Sequence, residues 1–139
     1  MIKNNVFNQT TLNGNKFKSE KLIYKSIKKI QKVNKKKDFK NLLKTSITST
    51  SPIFYLKNIK RKRKKNTEFP FMLRKNLRVS YSLKFLLYHC KNLKSSPLYL
   101  KLSNELVQSS KKDSQSVRHI EKLYKDTFAK KKFASYRWF

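Results

Sequence analysis

In 139 residues this chain carries 36 lysines and arginines against 7 acidic residues, a formal charge of +29 that no ordinary globular surface requires. Self-repulsion at this density works against a compact state, so a polyanion is the expected partner. Hydrophobic residues at 37% allow only a small core, while aromatic residues at 13% exclude a purely disordered basic tail, which is poor in Phe and Tyr.

Residues 1–15 hold a single lysine, Lys3, and neither arginine nor an apolar stretch, so neither a secretory leader nor an Arg-rich transit peptide is expected. After a turn at Asn13-Gly14, the recurrence of Ile23, Tyr24, Ile27 and Ile30 predicts a helix over about 16–33, its other faces filled by lysine. Asp38 is placed to cap a second helix, about 38–49, carrying Phe39, Leu42, Leu43 and Ile47. Pro52 ends that helix.

Two apolar segments, Ile53 to Ile59 and Phe69 to Leu73, then flank the basic run Lys60 to Lys65, with Asn66 as a turn residue. They read as a β-hairpin arm over about 53–74, with Pro70 on an exposed, unpaired edge. Val79, Leu83, Leu86, Leu87 and Cys90 mark a third helix. Pro97 is well placed at the start of a fourth, with Leu98, Leu102 and Leu106 on one face. Asp113 or Ser114 is placed to cap a last helix bearing Val117, Ile120, Tyr124 and Phe128. The expected architecture is mainly α: one domain over residues 1–139, a basic bundle of about five helices with a protruding two-stranded β-hairpin arm and its C-terminal helices over about 76–135. Cys90, alone of its kind, rules out an intramolecular disulfide and reads as a small buried apolar residue. No run approaches the ~18–20 apolar residues of a membrane span.

Several motifs now stand out at fixed spacing. Phe133-Ala134-Ser135-Tyr136-Arg137-Trp138 resembles the F-A-H-Y-R-W ending of the bacterial-type small-subunit ribosomal protein seven family. Leu102-Ser103-Asn104-Glu105-Leu106 resembles that family's L-A-N-E-L segment, and Phe133 follows Leu102 by 31 positions, as in the family, without a gap. Pro70-Phe71-Met72-Leu73-Arg74 with Arg78 is similar to its P-V-E-V-R and the arginine-rich helix start. Asn8, Asn13-Gly14-Asn15-Lys16, Glu20 and Tyr24 are similar to its N…D-G-K-K…A-E…Y, and Pro52 matches the proline that opens the first arm strand. The resemblance spans residues 6 to 138. Departures lie at the arm tip, where a Lys/Arg run replaces paired glycines, at Ser135 in place of histidine, and in a shorter N-terminal stretch. The resemblance implies a helical body with a β-hairpin arm, binding to the 3′ major domain of small-subunit rRNA, organisation of the subunit head, and an arm near the exit-site tRNA and the mRNA exit path. Neighbouring small-subunit ribosomal proteins are the implied protein partners.

The residue chemistry points the same way. Lys60, Arg61, Lys62, Arg63, Lys64 and Lys65 on a hairpin tip form a phosphate clamp that is largely indifferent to sequence. Arg74, Lys75 and Arg78 stand where the arm meets the third helix, whose N-terminal N–H groups would share a phosphate with them. Lys16, Lys18, Lys57, Arg118, Lys131 and Lys132 complete the expected RNA-facing cations. Two readings of the C-terminal motif stay open: Tyr136 and Trp138 stacking on splayed bases beside Arg137, or Phe133 and Trp138 packing on the body with Arg137 reaching a phosphate. His89 and Cys90 are neighbours on a helix and do not face each other. No metal spacing and no Gly-rich loop is present, so no enzyme, cofactor or metal is expected. The competing class is a basic nucleoid, DNA-packaging protein. A polybasic membrane-surface protein is disfavoured because the first helix's isoleucine stripe reads as core. Lys, Asn, Ile, Phe and Tyr abound while Gly occurs once, a bias toward A/T-rich codons that suggests an organelle genome, the mitochondrion ahead of a relict plastid.

Overall fold

The computed structural model describes residues 2–11, 13–33, 38–61, 64–92 and 96–135. Six helices and one ribbon follow in chain order: α1 (Ile2–Thr10), α2 (Lys16–Val33), α3 (Phe39–Ser49), β1 (Phe54–Arg61), β2 (Lys64–Met72), α4 (Lys75–Asn92), α5 (Leu98–Ser110) and α6 (Gln115–Ala129), closed by a 3-10 turn at Lys131–Phe133. The mainly α fold with a hairpin arm is as expected, with one helix more. That helix, α1, packs on α4 and α2. The turn after it puts Asn13 at φ 51° and Gly14 at φ 73°, and Gly14 occupies that left-handed backbone without a Cβ penalty.

Helix α5 is the hub, touching α2, α3, α4 and α6. Around it Ile30, Leu42, Ile47, Leu83, Leu86, Leu87, Cys90, Leu102 and Leu106 form one buried apolar cluster. Truncating a fully buried member such as Leu86 to Ala would cost about 2–5 kcal/mol, the sum of lost transfer energy and the cavity left behind.

What lies between the apolar residues is less usual. Alanine occurs only at 129 and 134, and serine takes its place at the helix contacts. On α2 the buried face is Ser19, Ile23, Ser26 and Ile30, with Ile27 half-buried and Tyr24 out in solvent, so the stripe read from the isoleucines is rotated toward two serines. A buried hydroxyl needs a partner, and these find one within their own helix: Ser26 Oγ donates to Ile23 O (2.7 Å), Ser46 to Leu42 O (2.9 Å) and Ser109 to Leu106 O (3.1 Å). Others tie helices together. Ser49 of α3 donates to Ser109 O of α5 at 2.7 Å, and Thr50 shares a 2.6 Å bond with Ser82 of α4.

The arm is antiparallel, with Phe54 opposite Met72, Lys57 opposite Phe69 and Arg61 opposite Lys64, and an irregularity between Ile59 and Arg61. A further bond from Leu73 N to Ile53 O (2.9 Å) carries the ladder to the arm's root. Asn66, expected in the turn, belongs to β2, because ladder pairing extends the strand through residues of weak β preference. Pro70, expected on an unpaired edge, is half-buried and faces Leu56 in the register. Capping differs in detail as well. Asp38 occupies the N-cap of α3 but its side chain makes no cap bond, whereas Ser114 caps α6 by accepting from Val117 N at 3.2 Å.

Candidate nucleic-acid interface

Because the inward face of α2 is set by Ser19, Ile23, Ser26 and Ile30, its lysines are forced outward. Lys16, Lys18, Lys21, Lys25, Lys28, Lys29 and Lys32 are all exposed. Two rest on rings, Lys28 Nζ 4.7 Å from the Tyr24 centroid and Lys25 Nζ 5.7 Å from that of Tyr99, which holds the amines against aromatic faces without discharging them. The helix begins on Lys16 and Lys18 with no acid in its first turn. A helix N-terminus is already electropositive, so cations there oppose the macrodipole and suit an incoming anion.

The same arrangement recurs at the root of the arm. Helix α4 starts at Lys75, again with no acid in its first turn. Arg74 precedes it, and Arg78 Nε donates to Leu73 O (2.9 Å), anchoring that guanidinium between arm and body. Arg74 and Lys75 are exposed and Arg78 half-buried. These three cations therefore meet at one junction with the N–H groups of the first turn of α4. Lys57 is exposed on β1.

Helix α6 braces the other side of the root. Tyr124 Oη accepts from Ile53 N (3.0 Å), Lys130 pairs with Glu68 of β2, and Phe133 meets Phe69 edge to face at 5.5 Å. Lys131 and Lys132 stand exposed on the 3-10 turn, over the rings of Phe128 (5.9 Å) and Phe133 (5.2 Å). Arg118 is already engaged by Asp113 at 3.1 Å, an exposed pair worth about 0–1 kcal/mol. Of the expected contacts, Lys62, Arg63, Tyr136, Arg137 and Trp138 lie outside the described residues. For Lys60, Arg61, Lys64 and Lys65 only the backbone is described, and it ends the two strands.

Sequence reasoning missed Glu105. This carboxylate is buried and accepts from Ser116 N (3.1 Å) and Ser116 Oγ (2.5 Å) at the start of α6. With Ser114 on Val117 N, it satisfies donors that the helix leaves open and adds charge where the dipole favours it. The available signal was one acid set among Leu102, Ser103 and Leu106 at helical spacing. Cys90 is fully buried, and burial, reinforced by Glu105, pushes its thiol up to about 12, far from a thiolate. His89 lies 5.4 Å from His119, its Nε2 buried without a hydrogen-bond partner. Among the described residues no three His, Cys, Asp or Glu side chains are grouped to hold a metal.

Exposed cations on a helical body and at the root of a projecting ribbon, with three of the seven acids drawn into a cap and ion pairs, define a structural protein built to pack on a polyanion. Comparison with known proteins places it within that class. Residues 1–131 match the family model described as ribosomal protein S7p/S5e, and the chain belongs to this family. It is a structural, non-catalytic small-subunit ribosomal protein. Similar proteins include the small ribosomal subunit protein uS7c of Prototheca wickerhamii, 24% identical over 96% of this chain and 84% of that protein. The uS7c of Euglena gracilis and the uS7 of Phytoplasma australiense are each 27% identical over the same shares.

Proposed function

We propose that this protein, folded as one domain over residues 1–139, binds the 3′ major domain of small-subunit rRNA and organises the folding of the subunit head. The observation that carries the proposal is the junction of Arg74, Lys75 and Arg78 at the start of α4, where an anchored guanidinium and two exposed cations adjoin the helix's first-turn N–H groups at the arm's root. Two adjacent rRNA phosphates suit such a junction because each neutralised phosphate releases condensed counterions. Lys16, Lys18, Lys57, Arg118, Lys131 and Lys132 extend the contact over the body. Lys60, Arg61, Lys62, Arg63, Lys64 and Lys65 clamp backbone at the arm's end, and Tyr136, Arg137 and Trp138 extend it at the other. The arm then lies near the exit-site tRNA and the mRNA exit path, with other small-subunit proteins as neighbours. The amino-acid composition, rich in residues with A/T-rich codons, together with the uS7c names of the Prototheca and Euglena relatives, supports an organelle-encoded form, and we assign it to the mitochondrial ribosome.

Ultraviolet cross-linking in intact cells, followed by sequencing of the attached RNA, tests this. Reads concentrated in the 3′ major domain of a mitochondrial small-subunit rRNA are expected. Reads from a plastid rRNA would correct the compartment, and recovery mainly of DNA would sink the assignment.

A further inference from the structure

Helix α2 carries a second stripe that the core does not use. Phe17, Lys21, Tyr24 and Lys28 recur at the same spacing as the buried Ser19, Ile23, Ser26 and Ile30, each two positions earlier in the chain. At ~3.6 residues per turn, two positions are about 200° of rotation, so the stripe runs along the line of the helix farthest from the core. Its rings are accordingly wet: Phe17 is 71% exposed and Tyr24 59%. Scattered exposed apolar residues need no explanation. Two rings alternating with lysine along the outer pole of a helix, where nothing in the fold packs on them, do. Lys28 Nζ lies 4.7 Å from the Tyr24 centroid, and beside the stripe Lys25 Nζ lies 5.7 Å from that of Tyr99 on α5. Glu20, exposed next to Lys21, is the one acid of the helix against its seven lysines.

Lysines alone would serve any polyanion, an RNA duplex included. An exposed ring adds a flat apolar face, and the ligand that offers flat faces and phosphates by turns is a single-stranded nucleic acid. Bases inside a helix keep their faces covered, so such a ring needs one that is unpaired. The spacing agrees. Phe17 and Tyr24 are seven residues apart, about 10.5 Å along the axis at ~1.5 Å per residue, with Lys21 between them. That is roughly three steps of ~3.4 Å along a strand, so the rings take separated bases while the phosphates between meet lysine. A lipid surface would need an apolar helix face, and that of α2 is buried in the core. The stripe also stands apart from the arm, since α2 packs on α5, α1 and α3 while α6 packs on the arm. We propose that the outer line of α2 is a second RNA site, holding an unpaired segment of small-subunit rRNA with bases stacked on Phe17 and Tyr24 and phosphates on Lys21 and Lys28. The site rests on the rRNA binding proposed above and adds to it a single-stranded segment on a different face.

Small subunits reconstituted with Phe17→p-azidophenylalanine, and separately with Lys75→p-azidophenylalanine at the arm's root, are irradiated and the attached molecules identified. From position 17, attachment to unpaired rRNA nucleotides is expected. Attachment there to duplex rRNA, to messenger RNA, to a protein or to nothing would overturn the site. Attachment to rRNA from position 75 but not from 17 would leave the arm-root contact standing without it, and attachment to rRNA from neither would remove both. A second measurement uses the free full-length chain with a uridine oligonucleotide and with an RNA duplex. Phe17→Leu combined with Tyr24→Leu keeps the charge, and both positions lie outside the core, so helical circular dichroism should be unchanged. Affinity for the oligonucleotide should fall by about fivefold or more for each ring, the contribution of one stacked base, while its salt slope and the duplex affinity hold. An equal fall for both RNAs, or none for either, would count against stacking.

Discussion

Lys112 has φ 62°, in the left-handed region that disfavours a side chain with a Cβ. It stands just after α5, where Lys112 N donates to Ser109 O (3.1 Å) and Asp113 N to Gln108 O (3.1 Å), the paired bonds of a helix-ending motif that glycine usually serves. A composition with a single glycine has put lysine there instead. Lys112→Gly should therefore stabilise the protein by about 1 kcal/mol, given a left-handed cost of roughly 1–2 kcal/mol for an L-residue. Thermal melting against Lys112→Ala, which removes the charge but keeps the Cβ, separates the two effects. His89 is a second such residue. Burial first, and then the nearby His119, lower its pKa, while Glu105 pulls the other way. The unfolded chain thus binds a proton that the folded chain resists. Stability from this site is complete above the unfolded value near 6.5 and declines as pH falls below it toward the folded value. Urea melts at about pH 7.5 and about pH 5 should show a larger loss for the native chain than for His89→Phe; equal losses would mean that His89 charges freely in the fold.

Among the elements, legibility followed the strength of the apolar period. Helices α3, α4 and α5 were readable because Leu42 and Ile47, Leu83 to Cys90, and Leu102 and Leu106 sit on the buried faces their spacing implies. Helix α1 was not, because its asparagines Asn4, Asn5 and Asn8 are indifferent helix formers and packing on α4 supplies what propensity lacks. Phe128 continues the stripe of α6 by spacing yet is exposed, since the helix runs past the body and its last turn meets the arm. The cations of the candidate interface were plain in sequence. The brace that orients them was not, because Tyr124 on Ile53 and Lys130 on Glu68 are contacts between residues far apart in the chain. This brace makes a prediction of its own. Tyr124→Phe leaves the Ile53 N–H without its acceptor, a loss of about 1 kcal/mol. The effect should be local: amide exchange at Ile53 and Leu73 should quicken while protection of α4 and α5 is kept. Uniform acceleration throughout would show the arm and body to be one cooperative unit.

At the scale of the molecule, charge governs. A formal +29 is carried by 139 residues, and three of the seven acids, Glu68, Glu105 and Asp113, are committed to internal partners. Added salt should raise the melting temperature of the free chain, since a Debye length of ~10 Å at 0.1 M screens its self-repulsion. The same salt should weaken RNA binding, with a log–log slope of about −0.9 per duplex phosphate contacted, and replacing Lys60 to Lys65 by glutamine should flatten that slope. Melting that falls with salt, or a slope that ignores the tip, would refute the respective statement. The arm's own dimensions carry one more consequence. Strand β1 is 8 residues long, so at ~3.3 Å per residue the ribbon is a lever of roughly 26 Å. Its fulcrum is the root, where Tyr124 accepts from Ile53 N, and the Lys130–Glu68 pair near mid-ribbon sets the tilt about it. A tilt of about 5° there swings the far end by about 2 Å, enough to break a hydrogen bond whose N–H···O distance is ~3 Å. Small repacking around Ile53 is thus geared up into displacement at the cationic end of the arm, and aim is set at the hinge rather than at the tip.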